Sequence, residues 1–367
     1  MAFLVNDEAN VSMMWILRSP YILLFGLFLI LIYPFHKSDV TTKESITMFC
    51  LVVLMLFFGL RGDIGDDYVV YSEIYEKISL QDTFSYGPSF VFLNLIFKLC
   101  GAPFHCFLAF CSVVTNVLFV RFLWKSHCVV PFAIAVFFAK WGIINEVDFI
   151  RNMIGIVLFL NSIEFILKKK PRMFFTLNLI GLSFHVSSLL FFPLYWILDR
   201  RISRQTYIFF FVFSMILFAL RLRFLDFIPS HFDCSQYSWS SHMCEYITSF
   251  SKHKATLLFW SESFFAGLVV CYFYNHLVKE QLSMIAVNAF LINTLCFGLF
   301  SAYWMLASRL ANLLGFCYWL LYPIIIFKIL KNNFLRFLIF CVMLFFLLHR
   351  LISLVSLPQW QYNFSPH

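Results

Sequence analysis

Long apolar runs, one after another, constrain this chain more than anything else in it. They fall at about 20–35, 45–60, 103–124, 129–145, 152–167, 206–222, 257–277, 283–304, 310–328 and 335–356, with weaker pieces at 88–100 and 173–198. A bilayer core about 30 Å thick is crossed by roughly 20 apolar residues in a helix. Lipid offers backbone N–H and C=O groups no partner, so a spanning segment must satisfy its own. The runs are continuous rather than alternating, which selects helices over barrel strands. We therefore expect an all-α polytopic integral membrane protein, a bundle of roughly 10–12 transmembrane helices with room for re-entrant segments. At 62% hydrophobic and 13% charged, the 367 residues exclude a soluble globular protein. The chain reads as one transmembrane domain, 1–367, with large external loops at 61–86 and 223–256.

The net charge of +8 needs no nucleic acid. The basic residues lie between apolar runs, where topology and anionic headgroups account for them. No charged stretch precedes a short apolar run and a small-residue cleavage site, so the first run is expected to stay in the membrane. Of the 11 cysteines, only Cys234 and Cys244 fall in a polar loop; a disulfide there is one of two open readings. The spacings of Cys and His suit no zinc site.

Lysine and arginine set the orientation. The segments around Lys125, Lys168–Arg172, Arg200–Arg204, Lys279 and Lys328–Arg336 are expected on the cytoplasmic side. Residues 61–86, 145–151, 223–256 and 305–309 then lie outside, as do both ends of the chain. Gly87, Pro88, Lys98 and Gly101 make 88–100 a poor crossing, so it is placed in the interface. The run 173–198 is flanked on both sides by basic clusters, which one crossing would put on opposite faces. A bent, re-entrant pair of half-helices resolves this, with Ser183, His185, Ser187 and Ser188 near an external apex. Irregular backbone at that depth is tolerated only against protein or a watery cavity.

Several polar side chains then gather on the external face. Arg61 closes the second run, Arg151 opens a middle one, and Arg309 stands near the end of another. Singly, each is an ordinary interfacial arginine; together they suit a phosphate-bearing headgroup, which guanidinium binds through paired hydrogen bonds. Arg221 and Arg223 either add to that field or anchor a helix end. His185 is either a hydrogen-bonded structural residue or part of a functional cavity. Asp63, Asp66 and Asp67 could ligate a divalent cation, or form a solvated turn beside Gly62 and Gly65, or supply a carboxylate that orients or deprotonates a hydroxyl. We favour the last, with no resident metal and no cofactor. Tyr68, Tyr71 and Tyr75 repeat at helical spacing. The loop 223–256 carries His231, Asp233, Trp239, His242 and Glu245, enough polar and aromatic groups to cover an external ligand. Trp141, Tyr303, Trp304 and Trp360 fit an interfacial aromatic belt.

These residues resemble the EpsG-like and O-antigen polymerase (Wzy) family of bacterial polysaccharide polymerases. The likeness lies in Arg61 and the run Gly65-Asp66-Asp67-Tyr68-Val69-Val70-Tyr71, in Ile150-Arg151, in Phe184-His185-Val186-Ser187-Ser188, and in Ala307-Ser308-Arg309-Leu310-Ala311. It spans 61–311. Two departures stand out: Asn152 follows Arg151 where a Gln is commoner, and two Asp follow Gly65. Asp67, directly before Tyr68, matches the family carboxylate better than Asp66.

The resemblance implies a membrane glycosyltransferase in the bacterial inner membrane with a periplasmic active face. It would join undecaprenyl-pyrophosphate-linked oligosaccharide repeats into O-antigen or a related surface polysaccharide. On that reading Asp67 and His185 are catalytic, Arg151 and Arg309 hold the pyrophosphate with Arg61 assisting, and Asp66, Tyr68 and Tyr71 shape the sugar site. Membrane lipid and a chain-length co-polymerase are the expected partners. An O-antigen ligase is the nearest rival; a lipid-linked sugar transporter or flippase, and an acyltransferase, are alternatives of other classes. Charges gathered at one face argue against a transport path.

Overall fold

The computed structural model describes residues 19–227, 244, 247 and 257–362. Helices make up the regular structure of these residues, with no strand among them. Seven are long and apolar enough to cross a membrane: α1 (Pro20–Lys37), α2 (Val40–Gly59), α5 (Phe104–Lys125), α6 (Val130–Val147), α7 (Ile150–Leu167), α11 (Gln281–Leu299) and α14 (Asn333–Val355). An eighth is a pair bent by 57°, α12 (Trp304–Leu313) with α13 (Phe316–Ile329). Around these lie α3 (Tyr68–Lys77), α4 (Pro88–Leu99), α8 (Pro171–Phe184), α9 (Arg204–Leu220) and α10 (Leu257–Leu277). The hydropathy runs 206–222 and 257–277 correspond to α9 and α10, which are not among these spans, and the two weaker pieces correspond to α4 and α8, only 12 and 14 residues long.

The chain forms two compact units. The described residues up to Tyr195, with those from Tyr322 onward, make the first; those of Trp196–Leu321 make the second. In the first unit, α7 is the axis. Eighteen residues give it a length of about 27 Å, close to one hydrocarbon thickness. At its C-terminal end Glu164 binds Lys125 at 2.7 Å and Lys168 at 2.5 Å, so the ends of α5 and α7 meet on one carboxylate. Its other end starts at Ile150, after α6 stops at Val147.

The bent pair of helical pieces expected at 173–198 is present. Helix α8 breaks at His185, whose backbone is extended (φ −155°, ψ 133°), and a 3₁₀ segment Val186–Phe191 follows. The chain then returns along α8: the Phe192 ring lies 5.7 Å from that of Phe175, and the Tyr195 ring 5.1 Å from that of Phe174. Phe191 stacks on Phe159 of α7 at 4.2 Å. Close approach is bought with small residues, since a Cβ on Gly155 or Gly181 would press on Ser188. Helix α4, at 12 residues, is about 18 Å long, shorter than the hydrocarbon core. Ser89 at its start bonds Ser183 at 2.6 Å, and Lys98 at its end reaches the Glu76 carbonyl at 2.5 Å.

The aromatic belt is corrected in three of four places. Trp141, Tyr303 and Trp360 are buried in protein. Trp141 sits inside α6 where the helix breaks (φ 73°), with the Arg350 guanidinium 4.2 Å over its ring. In the second unit the Tyr303 hydroxyl donates to Asp226 at 2.9 Å and accepts from the Leu225 N–H at 2.8 Å. Also in that unit, Tyr274 bonds the Ile202 carbonyl at 2.7 Å and Asn288 bonds those of Leu198 and Arg200, both at 2.8 Å. Cys244 is disulfide-bonded, while Cys234 lies outside the described residues, as do His231, Asp233, Trp239, His242 and Glu245.

Candidate functional site

The N-terminal end of α7 gathers three segments far apart in sequence. The first is the turn after α2. Gly65 has φ +88°, a left-handed value open to glycine, and any Cβ there would collide with the Asp148 carboxylate. That tight turn lets the N–H groups of Asp66 and Asp67 donate to Asp148 Oδ1, at 3.0 and 3.3 Å. Helix α3 begins directly after, with Asp67 at its N-cap position. One turn on, the Tyr71 hydroxyl donates to the Asp148 backbone carbonyl at 3.0 Å. Tyr68 points to α5, its ring 5.6 Å from Phe104.

The second segment carries Arg151 in the first turn of α7, three residues beyond Asp148. Its Nη1 donates to the Tyr86 carbonyl at 3.1 Å, and the guanidinium lies 5.4 Å from the centroids of both Tyr86 and Phe90. The buried Nε makes no hydrogen bond among the described residues. Gly87 (φ +89°) allows this approach; a Cβ there would meet the carbonyl oxygens of Ser183 and Phe184 at 2.7 and 2.8 Å.

The third segment is the re-entrant apex. His185 Nδ1 lies 2.8 Å from Ser187 Oγ and accepts the Ser187 N–H at 3.2 Å. Ser187 Oγ in turn donates to Asn152 Oδ1 at 2.6 Å. Asn152 thus ties the apex to the first turn of α7, beside Arg151.

Arg61 lies deeper than its place at the end of a span suggests. It is 4% exposed, its Nη1 donates to the Phe58 carbonyl at 2.5 Å, and its Nε is unsatisfied among the described residues. Burial pulls it below the usual guanidinium value, opposed first by the field of Glu146 and also by that of Asp148. The last described residues cover it. Gln359 accepts the Gly65 N–H at 2.9 Å, and Tyr362 stacks on Phe57 at 4.3 Å with its hydroxyl on the Phe57 carbonyl. Tyr21 of α1 packs edge-on against both rings.

Of the residues singled out from sequence, the structure brings Asp66, Asp67, Tyr71 and Arg151 around Asp148, with His185 one linked pair away and Arg61 behind them. Asp63 and Asp66 are exposed, and among the described residues no three His, Cys, Asp or Glu side chains are placed to hold an ion. Arg309 belongs to the second unit, on α12, half-buried.

Sequence reading missed Asp148. It lies in the segment 145–151 that was assigned outside, three residues before Arg151, and that spacing was the available signal. Burial, then the nearby Asp67 carboxylate, pushes its carboxyl up to about 7, against the two N–H donors. Burial likewise raises the Tyr71 hydroxyl, opposed first by Arg151. An arginine on two aromatic rings, with the Asp67 carboxylate and the His185 imidazole at the same end of α7, makes an arrangement that can bind an anion and orient a hydroxyl.

The family model of the EpsG family matches residues 45–367. No curated protein and no solved structure matches the chain.

Proposed function

The chain belongs to the EpsG family, membrane polysaccharide polymerase-like proteins, and from that premise we propose a polymerase of lipid-linked oligosaccharide repeats. Family membership assigns it to membrane polysaccharide biosynthesis with a glycosyltransferase-like activity, and it is a multi-pass membrane protein. The donor and acceptor we assign are undecaprenyl-pyrophosphate-linked oligosaccharides, joined at the outer face of a bacterial inner membrane into O-antigen or a related polysaccharide.

The step makes one bond and breaks one. An acceptor hydroxyl oxygen attacks the anomeric carbon of the growing chain, and the bond from that carbon to the pyrophosphate breaks with its electron pair leaving on phosphate. The hydroxyl proton passes to a carboxylate or imidazole. Charge grows on the leaving pyrophosphate, so a preorganised cation there lowers the barrier. Arg151 is assigned that role, with the field of buried Arg61 behind it. Arg309 is assigned to pyrophosphate on the resemblance. Asp67 and His185 engage the acceptor hydroxyl, and Asp66, Tyr68 and Tyr71 shape the sugar site.

One observation carries the reading: Arg151, the Asp66–Tyr71 segment and the His185 apex converge on the same end of one membrane-length helix. The test uses purified protein in detergent with the lipid-pyrophosphate-linked repeat, products separated by gel. A polymer ladder that is lost in Arg151→Ala and His185→Ala at normal folded yield, and that survives chelator, is the expected result. A full ladder from Arg151→Ala overturns the assignment. Transfer only to a lipid A core acceptor would make the protein a ligase instead.

A further inference from the structure

We propose that Asp148 is a positioning residue that sets the Gly65–Tyr71 segment against Arg151. The inference rests on the polymerase reading for its consequence, though not for its geometry.

Asp148 stands where α6 has ended and α7 has not begun. Its N–H and that of Phe149 both close back on the Ile144 carbonyl, at 2.9 and 3.0 Å, so the chain turns sharply at this point. The side chain is 5% exposed and aims across at a turn more than eighty residues earlier. Three contacts fasten that turn to this one residue. Oδ1 takes the Asp66 and Asp67 N–H groups, and the backbone carbonyl takes the Tyr71 hydroxyl. Asp67 and Tyr71 are one helical turn apart, so the bonds hold both ends of the first turn of α3. Gly65 completes the fit, because only a residue without Cβ leaves room for Oδ1.

Arg151 follows three residues on, in the first turn of α7, and Tyr71 feels its charge directly. The residue just before α7 therefore fixes where the acceptor-side carboxylate and tyrosine sit relative to Arg151. Without an acceptor at Oδ1, two backbone N–H groups lose their partner and the turn is released from α7. An amide oxygen at the same place accepts the same two N–H groups, so the role needs an acceptor and not a charge.

The experiment compares full-length wild type, Asp148→Asn, Asp148→Ala and Tyr71→Phe in detergent. Three quantities are read: binding of undecaprenyl pyrophosphate alone, polymer formed per folded protein, and amide hydrogen exchange of residues 65–71. In Asp148→Ala, polymer formation should fall about 30-fold while carrier binding stays within about 3-fold, a kcat effect rather than a binding one. Exchange at 65–71 should rise. Asp148→Asn should stay within about 3-fold of wild type in rate and keep wild-type exchange.

Full activity in Asp148→Ala overturns the proposal. So does an Asp148→Asn variant as inactive as Asp148→Ala with unchanged exchange, which would make the charge or proton the point. Should Asp148→Ala fail to fold, Tyr71→Phe carries the test; it removes one tie, and unchanged exchange and rate there also overturn the proposal. Wild type that neither binds carrier nor makes polymer ends the polymerase reading alone, because exchange in the two Asp148 variants still decides the positioning role.

Discussion

At the scale of single residues, Arg151 shows how a charge is kept usable at a membrane edge. Two aromatic faces and one carbonyl hold it, and a cation over an aromatic ring gains about 0.5–2 kcal/mol depending on desolvation. A lysine cannot reproduce the planar fork or its stacking. Arg151→Lys should therefore lose at least about tenfold in polymer formation, roughly 1.4 kcal/mol, at unchanged protein level. A lysine variant at full rate would mean that any positive charge suffices. Asp148 allows a second prediction, because its folded-state pKa, about 7, lies above that of an unfolded carboxylate. The stability it contributes is complete below the unfolded value and is lost as pH rises through about 7. Thermal unfolding in detergent should show wild type losing ground to Asp148→Asn between pH 5 and 8, and a pH-independent gap would contradict it. Between the adjacent acids, Asp67→Asn should reduce polymer formation more than Asp66→Asn; the reverse order would move the acceptor role by one position.

At the scale of elements, the re-entrant hairpin and the turn at Gly65 depend on missing side chains. Gly155 of α7 faces Ser188 with no room for a Cβ beyond it, and Gly181 lies against the Gly155 backbone. Gly155→Val should push the hairpin off α7 and break the Ser187–Asn152 bond. The expected result is a lower melting temperature together with lost polymer formation. Retained activity would show that the apex is not held through α7. Gly65→Ala faces both the left-handed backbone and the Asp148 carboxylate, a cost of about 1–3 kcal/mol. The bend between α12 and α13 and the break in α6 at Lys140–Trp141 are further interruptions at membrane depth. Such irregular backbone needs protein around it, and both residues at the α6 break are buried.

At the scale of the whole molecule, the ends of α7 separate two kinds of surface. One end carries Glu164 with Lys125 and Lys168; the other carries Asp148, Arg151 and the turn with Asp63. About 27 Å of apolar helix lies between them. Cysteines introduced as Asp63→Cys and Lys170→Cys, with exposed Cys100 and Cys106 replaced, should be labelled by an impermeant reagent from opposite sides of a cell membrane. Labelling from one side would reject the orientation from which an external active face was argued. Tyr21 and Tyr362 both pack on Phe57, so the start of α1 and the segment after α14 meet at the C-terminal end of α2, beside Arg61.

The helical membrane class, the positions of the long spans and the break at His185 were all legible in the chain alone. Each follows from local chemistry: the transfer free energy of some twenty consecutive residues, or the conflict between two basic flanks and one crossing. Arg151 and His185 were visible as ionisable groups in apolar runs, whereas Asp66, Asp67 and Tyr71 stood out in the polar loop 61–86 through their spacing and the family resemblance. What tertiary structure alone decided are the pairings across long separations. Asp148 reads as an ordinary loop acid until Asp66 and Asp67, over eighty residues earlier, are seen donating to it. Arg61 reads as an interfacial arginine until Tyr362 and Phe57 close over it, and Trp141 as a belt residue until Arg350 stacks on it. Hydropathy reports what each residue loses on leaving water; it carries no record of which distant group receives it.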